Sequence, residues 1–193
     1  MFEYLLQLDQ QVFIAINKGL SNGFLDWLMP LLRNKFFWAP LYLFLIIFLP
    51  RNYGKAGWMC ILFLGITFGL TDYFSASVVK PLVQRLRPCN DPSLEAEVKE
   101  RVECGSGFSF PSTHATNHFG IAMFLVGVFY SRWKWILPLA FLWAFSIAFA
   151  QVYVGVHFPL DVLTGAILGC MIGYITSTLY LTFKFQESWK SGN

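Results

Sequence analysis

Three short stretches hold the residues whose types and spacing could do chemistry. His157 and Asp161 stand four apart, which on a helix puts both side chains on one face. An Asp beside a His fixes the imidazole tautomer and stabilises the charge that develops when the other ring nitrogen attacks. Pro159 between them fits the first turn of a helix starting near His157. The run Phe110-Pro111-Ser112-Thr113-His114 precedes a long apolar segment. Ser112 is a favoured N-cap, and a helix start turns free N–H groups and partial positive charge towards an anion. His114, in that first turn, is placed to pass a proton. Lys80 and Arg87, seven apart, point the same way on a continued helix. Lys as a point charge and Arg as a fork would clamp a phosphate. Each stretch also has an ordinary reading: a helix cap, a structural His–Asp bond, or two cations snorkelling at a helix end.

The elements that must position these residues follow from the charge pattern. The chain has 193 residues, 56% hydrophobic and only 13% charged, against roughly 25% charged in soluble domains. Trp58 to Val79 holds one charge, Asp72, and Phe158 to Phe183 holds only Asp161. Ser112 to Tyr130 and Trp135 to Val156 hold no Lys, Arg, Asp or Glu. Each block approaches the roughly 20 residues that a membrane-spanning helix needs. The expected fold is therefore all-α: a polytopic transmembrane bundle of about five spanning helices, near 36–50, 56–83, 112–131, 134–152 and 158–183. Residues 1–35 read as amphipathic helices lying in the interface, broken at Ser21-Asn22-Gly23. Glu3, Asp9 and Gln10 interrupt the start, so no cleavable signal peptide is expected there.

Counting crossings puts Arg51, Lys55, Arg132, Lys134, Lys184 and Lys190 on one side, which the positive-inside rule makes cytoplasmic. Residues 36–184 then form the transmembrane domain, 185–193 a cytoplasmic tail, and the loop 85–110 lies outside, with a short helix expected from Pro92 to Arg101. All three candidate stretches fall on that outer face. Gly165, Gly169 and Gly173 make a four-residue step that suits close helix packing in lipid. No basic run supports a nucleic-acid partner. Asp72 sits in an apolar block and calls for a partner, sought among Lys80, Thr116 and His118.

Together these residues resemble the type 2 phosphatidic acid phosphatase superfamily, integral membrane lipid phosphatases related to vanadium haloperoxidases. The family's first motif is Lys, six residues, Arg-Pro; here it reads Lys80-PLVQRL-Arg87-Pro88. Its second, Pro-Ser-Gly-His, reads Pro111-Ser112-Thr113-His114, with Thr for Gly. Its third, Ser-Arg, five residues, His, three residues, Asp, reads Ala150-Gln151-VYVGV-His157-FPL-Asp161. The resemblance implies that Lys80, Arg87, Ser112 and the Thr113 backbone hold the phosphoryl oxygens. It implies that His157 attacks phosphorus, Asp161 orients it and His114 protonates the leaving oxygen. It implies no cofactor or metal. Gln151 stands where an Arg is expected on the phosphate, and can give a neutral hydrogen bond but no charge. Arg85 or another residue would have to make up the difference.

His118, four residues after His114, and Asn117 read as support behind these residues. A metal alternative would combine His114, His118, His157 and Asp161, but Lys80 and Arg87 are poor company for a cation. Three functions fit: hydrolysis of a lipid phosphate in an integral membrane protein of the bacterial inner membrane, with the site on the periplasmic or extracellular face; phosphoryl transfer between lipids; or non-catalytic carriage of a lipid phosphate. The partners implied are the lipid phosphate and membrane lipids. Cys89 and Cys104, both in the outer loop, can pair if that face is oxidising. Cys60 and Cys170 read as free thiols in spanning helices.

Overall fold

Helix follows the apolar blocks, because a backbone in lipid must satisfy its own N–H and C=O groups. The computed structural model describes residues 2–94 and 96–191, and its regular elements are helical. Helix α1 (Phe2–Ile14) runs on in wide π turns over Ala15–Gly19, and α2 spans Gly23–Arg33. Helix α3 (Ala39–Asp72) passes through π turns at Tyr73–Val79 into α4 (Lys80–Val83). Then come α5 (Thr113–Phe129), α6 (Ile136–Tyr153) and α7 (Pro159–Ser191).

Helix α3 is two arms folded at Gly54, whose φ of 56° and ψ of −128° lie outside the helical region. The turn is tight: a Cβ on Gly57 would sit 2.1 Å from the Leu49 carbonyl oxygen. The arms run antiparallel. Tyr42 of the first and Asp72 of the second both reach the start of α5, at His118 and Asn117. Near the other end Tyr53 packs on Phe129, and the Tyr180 hydroxyl donates to the Ala56 carbonyl. The two arms with α5, α6 and α7 make the five rods expected. Among the described residues, the stretches Ala39–Asn90, Ile136–Tyr153 and Pro159–Lys184 have the length and apolarity to cross a bilayer. Their outer faces expose Phe44, Trp58, Leu62, Leu142, Phe145 and Ile167, as lipid contact requires.

The centre of the bundle is the α5–α7 pair. A Cβ at Gly165, Gly169 or Gly173 would fall 2.6, 2.3 or 2.2 Å from the carbonyl oxygens of Ser112, Thr116 and Gly120. The glycine step lets α7 lie directly on the α5 backbone. It brings the starts of both helices together, where Ser112 N donates to the Asp161 carbonyl at 2.9 Å.

Helices α1 and α2 cap the end of the bundle where α6 finishes and α7 starts. Phe13 packs with Leu94, Val152 and Phe158, while Met29 packs with Ala150 and Tyr153 of α6 and with Val154 just past its end. Asp26 accepts from Lys99, Arg101 and the Tyr153 hydroxyl, and these partners hold its carboxyl well below the usual carboxylate range.

One expectation fails locally. Pro92 to Arg101 is not a helix: turns run to Glu97 and irregular chain follows, with Glu95 outside the described residues. Its polar groups find distant partners first: Lys99 N donates to Asn17 Oδ1 at 2.8 Å, and Asn17 Nδ2 donates back to the Lys99 carbonyl at 3.0 Å. At the other end α7 continues past the span Pro159–Lys184 to Ser191, since neither Gly nor Pro interrupts it before Gly192. Residues 192 and 193 lie outside the described residues.

Candidate active site

The helix carrying Lys80 ends at Val83, where Gln84 turns left-handed (φ 54°). Pro81 also lacks the N–H that would tie it to the preceding turn. Lys80 and Arg87 therefore do not share a helix face as expected. They converge because both grip the segment Gly107–Ser109. Lys80 Nζ donates to the Phe108 carbonyl at 2.6 Å, and Arg87 Nε donates to the Gly107 carbonyl at 2.8 Å. Cys89 and Cys104 are joined in a disulfide beside them. Arg87 Nη1 also reaches the Val156 carbonyl at 3.2 Å and lies 3.4 Å from His157 Nε2.

His157 lies in the link between α6 and α7, behind Gly155, whose φ of 95° turns the chain. Its Nδ1 is 3.5 Å from Asp161 Oδ2, and the ring is 2% exposed. Burial pushes the His157 pKa down to about 4, opposed by Asp161 and reinforced by Arg87 and Lys80. At neutral pH the ring is uncharged, so Nε2 keeps its lone pair.

Asp161 is fully buried and both of its oxygens are engaged. Phe158 N donates to Oδ2 at 2.8 Å, and Arg85 Nη1 donates to Oδ1 at 2.8 Å. Arg85 is thus no substitute for a phosphate-binding Arg. Its other nitrogen bonds Asp9 Oδ2 at 2.6 Å, and its guanidinium stacks 3.9 Å over the Phe158 ring. Asp9 in turn accepts from Leu160 N at 2.8 Å. The sequence reading missed Asp9. Its only trace there is a carboxylate interrupting an amphipathic helix, and the structure makes it the buried anchor of the Arg85–Asp161 pair.

A cavity of about 690 Å³ opens beside His157, which is part of its wall. Lys80, Arg87, Thr113, His114, Gln151 and His157 line its outer end, with Asp72, Asn117 and His118 deeper in. Ser112 is not on the wall: it is fully buried, and its Oγ caps α5 by accepting from Ala115 N. Asp72 is only half-buried, and its partner is Asn117 Nδ2 at 3.2 Å, not Lys80, Thr116 or His118. His118 donates Nδ1–H to the His114 carbonyl at 2.7 Å, leaving Nε2 to face the Tyr42 hydroxyl at 3.3 Å. The residues of the metal alternative do not converge: the His114 and His118 ring centres are 6.4 Å apart, and Asp161 is already saturated.

Buried polar atoms are normally paired. Six in the described residues are not, and five of them belong to Thr113, Asn117, Gln151 and His157, all on this cavity. Gln151 is the clearest case: it is fully buried with neither amide atom bonded. Of the unpaired atoms, Thr113 Oγ1 and Gln151 Nε2 can donate, so an oxyanion in the cavity would be met by two cations and these two donors.

Residues 57–185 match the family model of the PAP2 superfamily. The chain belongs to that superfamily. It is an integral membrane phosphatase of the PAP2 type. The lipid A 4'-phosphatase of Bacteroides thetaiotaomicron is 35% identical over 178 residues, covering 91% of this chain and 78% of the relative. The crystal structure of Aquifex aeolicus LpxE superposes with a TM-score of 0.67 at 28% identity, covering 88% of this chain and 94% of LpxE. A transmembrane PAP2-type phosphatidylglycerolphosphate phosphatase from Bacillus subtilis superposes with a TM-score of 0.60 at 25% identity, with 92% of each chain covered.

Proposed function

We propose that this PAP2 enzyme hydrolyses a lipid phosphomonoester through a phosphohistidine at His157. One observation carries the reading: a buried, neutral His157 lines a cavity walled by Lys80 and Arg87, with Nδ1 on the Asp161 side and Nε2 3.4 Å from Arg87 Nη1. Nε2 attacks phosphorus, and the N–P bond forms as the P–O bond to the lipid breaks. His114, carried into the step as the imidazolium beside the anionic phosphate, gives its proton to the leaving oxygen and becomes neutral. His114 then takes a proton from water, the water oxygen displaces Nε2, and phosphate leaves with His157 restored. Lys80, Arg87, the Thr113 N–H and the Gln151 amide hold the three equatorial oxygens, where positioning and charge supply most of the rate. Ser112 acts through the cap that sets the start of α5.

The relatives support a phosphorylated membrane lipid as substrate, and the 35% identity to a lipid A 4'-phosphatase favours a phosphorylated glycolipid headgroup. The apolar wall at Tyr42, Phe68 and Ile121, deeper in the bundle, would accept the lipid end. On this reading 36–184 is the phosphatase domain, 1–35 lies in the outer interface, and the site faces the periplasm from a bacterial inner membrane, with the basic links inside.

Phosphate release from a panel of lipid phosphates in detergent, with and without a second lipid as acceptor, tests the reading. Hydrolysis predicts free phosphate without acceptor. Label passing only to the acceptor would establish transfer instead.

A further inference from the structure

Gln151 leaves the site one cation short of the family motif, and Arg85 is spent on Asp9 and Asp161. A third cation reaches the same cavity from outside the matched family region. Arg33, the last residue of α2, lines the cavity with Lys80, Arg87, His114, Gln151 and His157. It is also on the wall of an adjoining 430 Å³ cleft that shares His114. Its position is built, not incidental. Leu25, Leu28, Met29 and Leu32 press α2 against Ala150 and Tyr153 of α6, the helix that carries Gln151, and against Val154 just past its end. Arg33 follows Met29 by four residues, so it leaves the same face of α2.

The guanidinium is half-buried, and among the described residues it has no hydrogen-bond or ion-pair partner. Arg85 and Arg101, by contrast, are each tied to carboxylates. Burial and the neighbouring Arg87 both act against the charge on Arg33. Glu103, an acid on the same wall, is exposed and makes no ion pair with it. Lys35 is exposed and lies over the Phe36 ring. A partly desolvated cation facing two others is costly until an anion arrives between them.

We propose that Arg33 supplies the phosphate-binding charge absent at position 151, so that the N-terminal helices complete the active site. This rests on the phosphatase reading above. Arg33 brings its fork from α2, and the neutral Gln151 leaves room for it on the α6 side.

The test is a charge exchange measured on purified full-length protein with the lipid phosphate that the wild type cleaves. Arg33→Gln is expected to lower kcat/KM by about 100-fold, the scale of losing one transition-state donor. Adding Gln151→Arg to that variant is expected to restore at least tenfold. A loss below tenfold, or a double variant no better than Arg33→Gln, overturns the proposal. Should Arg33→Gln not fold, Arg33→Lys keeps the charge without the fork and is expected to weaken orthovanadate inhibition at least threefold; unchanged inhibition overturns it. The two readings fail separately. A wild type that releases no phosphate sinks the phosphatase reading, whereas an active wild type with an equally active Arg33→Gln sinks only the role of Arg33.

Discussion

At the scale of single residues, the proposed nucleophile His157 is backed by Asp161, which Arg85 and Phe158 N hold in turn. His157→Ala is expected to abolish turnover in a phosphate-release assay. Asp161→Asn should lower kcat by several orders of magnitude, because the imidazole loses its orienting anion and Arg85 keeps only Asp9 as an ion-pair partner. Gln151→Ala should cost about tenfold as one neutral hydrogen bond to the phosphate is lost. Gln151→Arg alone should raise activity by less than tenfold, since Arg33 already provides the charge. The motif residues were legible because their types and spacings carry the chemistry. Arg33, Asp9 and the pairing of Arg85 were not. Nothing in a linear spacing says that residue 9 will meet residues 85 and 161, and that contact exists only once α1 lies over the start of α7.

At the scale of elements, the site depends on how closely α7 approaches α5. Gly169→Ala would put a methyl 2.3 Å from the Thr116 carbonyl oxygen, forcing the helices apart below His157 and Ser112. It should lower both the melting temperature and kcat, while Gly65→Ala, with open space around it, should change neither. The glycine step was readable from the sequence, since small residues at that spacing have one use in lipid. The outer loop was not. A helix over 92–101 satisfies local propensity, but Asn17 and Val154 claim the backbone of Lys99 and Arg101. The Cys89–Cys104 bridge closes 15 residues of that loop, and Cys89→Ser should destabilise the protein by about 3 kcal/mol in thermal unfolding. If the bridge also holds Gly107–Ser109 against Lys80 and Arg87, KM rises in the same variant.

At the scale of the whole molecule, the apolar blocks already specified a helical bundle, and lipid leaves a chain few alternatives. The sequence did not show that the N-terminal helices close over the outer end and reach the active cavity. The motifs that carry the family begin at Lys80, so residues 1–35 read only as amphipathic helices in the interface until α2 is seen against α6. On the proposed mechanism the family core supplies the nucleophile, the acid and two cations, and the N-terminal helices add Asp9 behind His157 and Arg33 on the cavity wall.

The central claim is that phosphorus passes through His157 Nε2. It is tested most directly by mixing enzyme with substrate labelled in the phosphate, quenching in alkali, where N–P bonds survive, and sequencing the labelled peptide by mass spectrometry. The account predicts one phosphorylated histidine, His157, formed before free phosphate appears and absent from His157→Ala. Rapid turnover with no labelled histidine, or label on His114 in its place, would contradict it.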